Sequence, residues 1–169
     1  MNYGKKKWTV IPTVIYLLII LSAEIWFGIK ILNAEIILPE NSSTLIESIL
    51  IGGLGGILYC LRSIYLNYSV KNSWSEQWLI WYFLRPITSL MCGGVSYLFL
   101  KAGLLVLDAK KESDASNLGF FAIALIAGLN VDKFIKKIED LAKSTWGIDQ
   151  SRASKPDGSE TPNTTNSED

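Results

Sequence analysis

Histidine is absent from this chain of 169 residues. Its absence removes the commonest general base at neutral pH, the serine–histidine and cysteine–histidine nucleophile pairs, and every histidine metal site. Cysteine is scarce: Cys60 and Cys92 are the two thiols, and both lie inside apolar segments. Two thiols cannot complete a four-ligand zinc site. Their surroundings mark them as small buried hydrophobes rather than a disulfide or metal pair. Net charge is missing as well, because 16 Lys and Arg balance 16 Asp and Glu. No overall basic footprint for nucleic acid results. No catalytic spacing, metal cluster or cofactor motif replaces what is absent, so an enzyme is not expected.

What the chain has is apolar length. Hydrophobic residues make up 49% of it and charged residues 19%, and the charge is unevenly spread. Four segments, about 8–32, 45–68, 78–107 and 118–135, are nearly uncharged, and each is read as a membrane span. The first follows a basic start, 1–7, containing Lys5, Lys6 and Lys7. A basic start before an apolar run also fits a signal peptide. Leu21-Ser22-Ala23 is a poor cleavage site, however, and apolar sequence continues to Leu32, so an uncleaved span is expected. The second span centres on Gly52-Gly53-Leu54-Gly55-Gly56. Gly52 and Gly56 form a small-xxx-small pair that lets helix backbones approach closely, and Ala124 and Gly128 repeat the pattern in the fourth. A P-loop is excluded because no Gly-Lys-Ser/Thr follows the glycines.

Beyond Asn130 the period changes. Val131, Phe134, Ile135, Ile138, Leu141, Ala142 and Thr145 fall on one helical stripe, with Asp132, Lys133, Lys136, Lys137, Glu139, Asp140 and Lys143 on the other face. Residues 131–146 are therefore read as an amphipathic helix, and 147–169, rich in Ser, Asn, Thr, Pro and Asp, as a disordered tail. The basic residues flank spans so that both termini are expected in the cytoplasm. Tyr3, Trp8, Tyr65, Tyr68, Trp74, Trp78, Trp81, Tyr82 and Trp146 then form an inner aromatic belt.

Charges inside the spans need partners or water. Arg85 lies roughly 10 Å in from Trp78 at the helical rise, directly before Pro86, which frees the Tyr82 carbonyl and is expected to kink the helix. Two readings stand for Arg85: a clamp on a freed carbonyl, or, with Arg62, a positive inner constriction in an oligomer. Arg62, nearer the inner end, is expected to snorkel. Glu24 and Lys101 come out at similar depth, and a salt bridge between spans one and three is the simplest way to satisfy both. Glu47, close to a span end, is expected to be solvated.

The run Trp81-Tyr82-x-x-Arg85-Pro86, then Gly93-Gly94, Tyr97 and Lys101-Ala102-Gly103-Leu104, with Ala127-Gly128-Leu129 in the last span, resembles uncharacterised bacterial multi-pass inner-membrane proteins. It covers about a third of the chain. The resemblance implies a four-span protein of the bacterial inner membrane and supplies no activity. The expected fold is all-α: a four-helix transmembrane bundle, 8–135, with a cytoplasmic amphipathic helix and a disordered tail. The expected function is a membrane scaffold or sensor subunit that presents 131–146 to a cytoplasmic protein. The alternative is a homo-oligomeric channel or transporter-like pore. The bilayer and further copies of the chain are the other expected partners.

Overall fold

The computed structural model describes residues 3–36, 39–103 and 115–148, and all of the regular structure among them is helical. Helix α1 runs Tyr3–Leu32, so Lys5, Lys6 and Lys7 continue the first span as helix rather than precede it. Helix α2, Glu40–Ile64, starts where Pro39, extended at ψ 140°, offers its carbonyl to the amides of Ser42 and Ser43 at 2.7 and 3.1 Å. It passes directly into a π-helical stretch, Tyr65–Val70. Asn72, at φ +49°, stops it in the left-handed region that asparagine tolerates. After one 3-10 turn, Glu76–Trp78, helix α3 runs Leu79–Lys101. Helix α4, Ala115–Leu129, and helix α5, Val131–Trp146, follow.

Helices α1, α2 with its π extension, and α3 are each long and apolar enough to cross a bilayer. Large apolar side chains point outward: Ile11, Ile15, Leu18 and Ile19 on α1, and Ile80, Leu84, Ile87 and Met91 on α3. Such outward faces would be a liability in water and are the ordinary surface of a helix in lipid. Length and composition are those of a multi-pass membrane protein.

Two expectations about span ends change. The third span was read to 107, yet α3 ends at Lys101. Gly103, at φ +72°, takes the left-handed position and donates its amide to Leu100 O at 3.0 Å; residues 104–107 lie outside the described set. The expected fourth span is continuous over 118–135, yet the helix breaks at Asn130, so α4 alone is too short to cross. A fourth crossing requires residues of α5 as well. Pro86 sits inside α3, which stays helical throughout its 23 residues.

The chain divides into two compact units at Val131 and Asp132. In the first, α2, α3 and α4 pack on one another, and α1 lies along α2 and touches α3. A hydrophobic cluster is formed by Leu17, Ile57, Cys60, Ile64, Trp74 and Tyr82. Cys60 and Cys92 are both buried. Trp74 ties the connector between α2 and α3 to α1, its indole Nε1 donating to Thr9 Oγ1 at 3.1 Å. Thr9→Val leaves that buried N–H without its acceptor and is expected to lower stability by about 1–2 kcal/mol in a thermal melt of the detergent-solubilised protein.

In the second unit, α5 has Asp132 in its first turn and Lys143 in its last, charges that favour its dipole. Gly147, at φ +68°, closes it, donating to Lys143 O at 3.0 Å. Residues 149–169, expected as the tail, lie outside the described set.

Candidate functional site

The site is the end of α4. Fifteen residues rise about 22 Å, against a hydrocarbon thickness of about 30 Å. Helix α4 runs antiparallel to α3: Phe120 meets Tyr97 with ring centroids 5.3 Å apart, Gly128 meets Ser89, and Leu129 meets Arg85. It therefore stops about 9 Å short of the Leu79 end of α3, inside the depth covered by its neighbours.

A helix that ends there exposes carbonyls that have no intrahelical partner, and lipid supplies no water for them. Helix α3 meets this need with two side chains one turn apart. Ser89, fully buried, donates its hydroxyl to Gly128 O at 3.1 Å. Arg85, 4% exposed, donates an Nη2 hydrogen to Leu129 O at 3.3 Å. The guanidinium also places positive charge at the negative end of the α4 dipole.

Aromatic rings hold Arg85 from the other side. Its guanidinium carbon lies 4.7 Å from the Tyr59 ring centre and 5.2 Å from that of Trp81. Trp81 is one turn earlier on α3, and Tyr59 comes from α2. These rings continue into the expected aromatic belt: Tyr59 packs on Trp81, Trp81 on Tyr82, and Tyr82 stacks on Trp74 with planes 14° apart. Thr88 Oγ1 donates back to the Arg85 carbonyl at 2.9 Å. The clamp thus acts on the Leu129 carbonyl of a neighbouring helix.

Short side chains reach across only where backbones nearly touch. A Cβ on Gly52 would lie 2.6 Å from Gly93 Cα and 2.7 Å from Ser89 O, and one on Gly128 would run into the backbone of Gly52. On Gly55 it would meet Leu125 O at 2.6 Å, and on Gly56 the Ser89 side chain. Ala124 is fully buried on α4. The small residues of α2 and α4 therefore face one another and α3.

The remaining candidate charges stand apart from this site. Arg62 is exposed. Glu47 accepts a hydrogen bond from Ser43 Oγ at 2.9 Å and is half-buried. Lys101 is exposed and donates to Tyr97 Oη at 3.1 Å. Glu24 is 7% exposed and lies against Gly53. The expected Glu24–Lys101 bridge does not form. Tyr16–Phe83 sets α1 on α3 at an offset of 67 residues, and Thr9–Trp74, in the connector just ahead of α3, keeps nearly the same offset at 65. That register puts Glu24 beside Leu90 and leaves Lys101 about 16 Å further along α3.

Ser89, Tyr59 and the Leu129 carbonyl are parts of the site not singled out from sequence. One signal for Ser89 was available. Arg85, Ser89, Cys92, Gly93 and Ser96 recur at helical spacing in α3, and all are buried. Such a polar, small-residue stripe in an apolar helix marks a packed face. A pocket of about 170 Å³ at the connector between α2 and α3, lined by Asn67, Ser73, Trp74, Ser75, Trp78 and Tyr82, has no charged lining residue. No group of His, Cys, Asp and Glu among the described residues is arranged to hold a metal ion.

These features define a multi-pass membrane protein with a half-length helix braced inside it. Comparison of the chain with protein-family models, with curated proteins and with solved structures finds no match.

Proposed function

We propose that this protein is a scaffold or sensor subunit of the bacterial inner membrane, a four-pass protein that holds α5 for recognition by a cytoplasmic partner. The observation that carries the reading is the employment of Arg85. Its charge is buried within its own chain, where it braces the end of α4 against the Tyr59 and Trp81 rings. A positive constriction in a pore would need that charge directed at open water. With Arg85 so employed, recognition falls to α5, the next element of the chain.

The pattern of α5 supports the rest. Phe134, Ile138, Leu141 and Ala142 share a stripe, and Lys133, Lys136, Lys137 and Asp140 are exposed. The mixed charge of the polar face suits a protein surface better than an anionic leaflet, which favours uniformly basic faces. Both termini are assigned to the cytoplasm from the lysines at the start of α1, at Lys71 and along α5.

The test is in-membrane crosslinking of the full chain and of Phe134→Asp/Ile138→Asp. The double variant is expected to stay inserted, judged by resistance to alkaline extraction, and to lose its crosslinked protein adduct. An unchanged adduct sinks the scaffold reading. Ion flux in reconstituted vesicles that disappears on Arg85→Ala, with the fold retained, favours the channel instead.

A further inference from the structure

Glu24 stands apart from the bracing of α4, and it is buried where Arg62 and Lys101 are exposed. Neither carboxyl oxygen has a hydrogen-bond partner, and no ion pair reaches the group, among the described residues. It is nonetheless 93% buried, midway along the membrane unit. Its seat is specific. Gly53 on α2 leaves room for the carboxyl: a Cβ at that position would strike Glu24 Oε1 and lie 2.6 Å from a Leu90 methyl carbon.

The elements packed on Glu24 offer no charge to offset its own. Helix α2 presents Gly53 and α3 presents Leu90. Of the titratable groups on α1 and α2, Lys30 pairs with Glu35 at 3.1 Å, Glu47 accepts from Ser43 Oγ, Tyr16 donates to Phe83 O, and Cys60 is buried in the hydrophobic cluster. Arg85 faces Tyr59, Trp81 and Leu129, and Lys101 is held by Tyr97. A carboxylate in such surroundings has neither solvent nor counter-charge, whereas a carboxylic acid has only two weakly solvated dipoles to accommodate. Intramembrane acids of this kind mark proton sites.

We propose that Glu24 is a proton-binding site within the bilayer, and that the bound proton is what allows α1 to seat against Gly53. Loss of the proton would put a bare charge between α1 and α2.

Dicyclohexylcarbodiimide, which partitions into lipid, tests this on the full chain in vesicles. The carboxyl proton goes to one carbodiimide nitrogen and the carboxyl oxygen bonds the central carbon. The resulting O-acylisourea rearranges to a stable N-acylurea of the same mass, which peptide mass spectrometry locates. The adduct is expected on Glu24 at neutral pH, with a water-soluble carbodiimide labelling exposed Glu35 and Glu76 instead. Glu24→Gln should abolish it, and Gly53→Ala, whose methyl takes the carboxyl's place, should reduce it several-fold. The wild-type map stands without either variant should one fail to fold. No adduct at Glu24 in folded protein, or equal labelling there by the water-soluble reagent, would overturn the proposal.

Discussion

Gly128→Ala, a change of one methyl group, is expected to destabilise the membrane unit by about 3 kcal/mol. Alanine is ordinarily the better helix former, by about 1 kcal/mol, so propensity predicts the opposite sign. Geometry decides the outcome. The new Cβ would meet the carbonyl and Cα of Gly52. Those are backbone atoms in the middle of α2, and no rotamer change can move them aside. Separating α4 from α2 by the width of a methyl group would also lengthen the Ser89–Gly128 and Arg85–Leu129 hydrogen bonds, which leaves two carbonyls unsatisfied in lipid. Gly119 supplies the control, since nothing lies within 4 Å of a Cβ built there on the same helix. Gly119→Ala should be neutral or slightly stabilising. The check is the thermal midpoint of each variant in one detergent, followed by monodispersity on a sizing column. Equal midpoints for the two variants would refute the close approach of α2 and α4. Gly52→Ala should behave like Gly128→Ala, because its Cβ would lie 2.6 Å from Gly93 Cα.

Much of the membrane unit was legible in the sequence, and what escaped was whatever depends on contacts between spans. Uncharged runs of the right length located α1, α2 and α3, because bilayer thickness is a constraint that acts on each segment alone. The change of period beyond Asn130 was legible, but the end of the apolar helix there was not, for a physical reason. Leu129-Asn130-Val131 carries no proline, and the apolar content continues beyond it. What lets the helix stop there is a guanidinium 44 residues away, a partner that no local window contains. Counting inward from span ends pairs Glu24 with Lys101. The register of α1 is set instead by Tyr16 on Phe83 of α3 and by Thr9 on Trp74 of the connector ahead of it, and neither contact is readable from hydropathy. Glycine spacing announced that backbones approach, but not that Gly52 would face both Gly93 and Gly128. Arg85 shows both sides of this. Its depth and the following proline flagged a clamp, while the carbonyl it holds belongs to another helix.

The second large effect is expected at Arg85, and its discriminating feature is the failure of lysine. Arg85→Ala removes a charged donor from Leu129 O and a cation that lies over two rings. A hydrogen bond to a charged group contributes about 1.5–3 kcal/mol, and a desolvated cation–ring contact about 2 kcal/mol. A loss of about 3–5 kcal/mol follows. Lysine keeps the charge but lacks the planar fork that lies over the Tyr59 and Trp81 rings while donating sideways to Leu129. An ammonium reaching the carbonyl would leave the rings, and one lying on the rings would leave the carbonyl open, with donors unsatisfied in either position. Arg85→Lys should therefore melt no higher than Arg85→Ala. A pore that needed only positive charge would rank them the other way, with lysine close to wild type in both flux and stability. Ser89→Ala completes the argument. Alone it should lose about 1–2 kcal/mol, the cost of leaving Gly128 O unpaired. Combined with Arg85→Ala it should lose less than the sum, because both residues act on one helix end and the second loss falls on an end already released. Strict additivity in that cycle would mean that the two residues brace α4 independently, and the idea of one shared capping site would have to be given up.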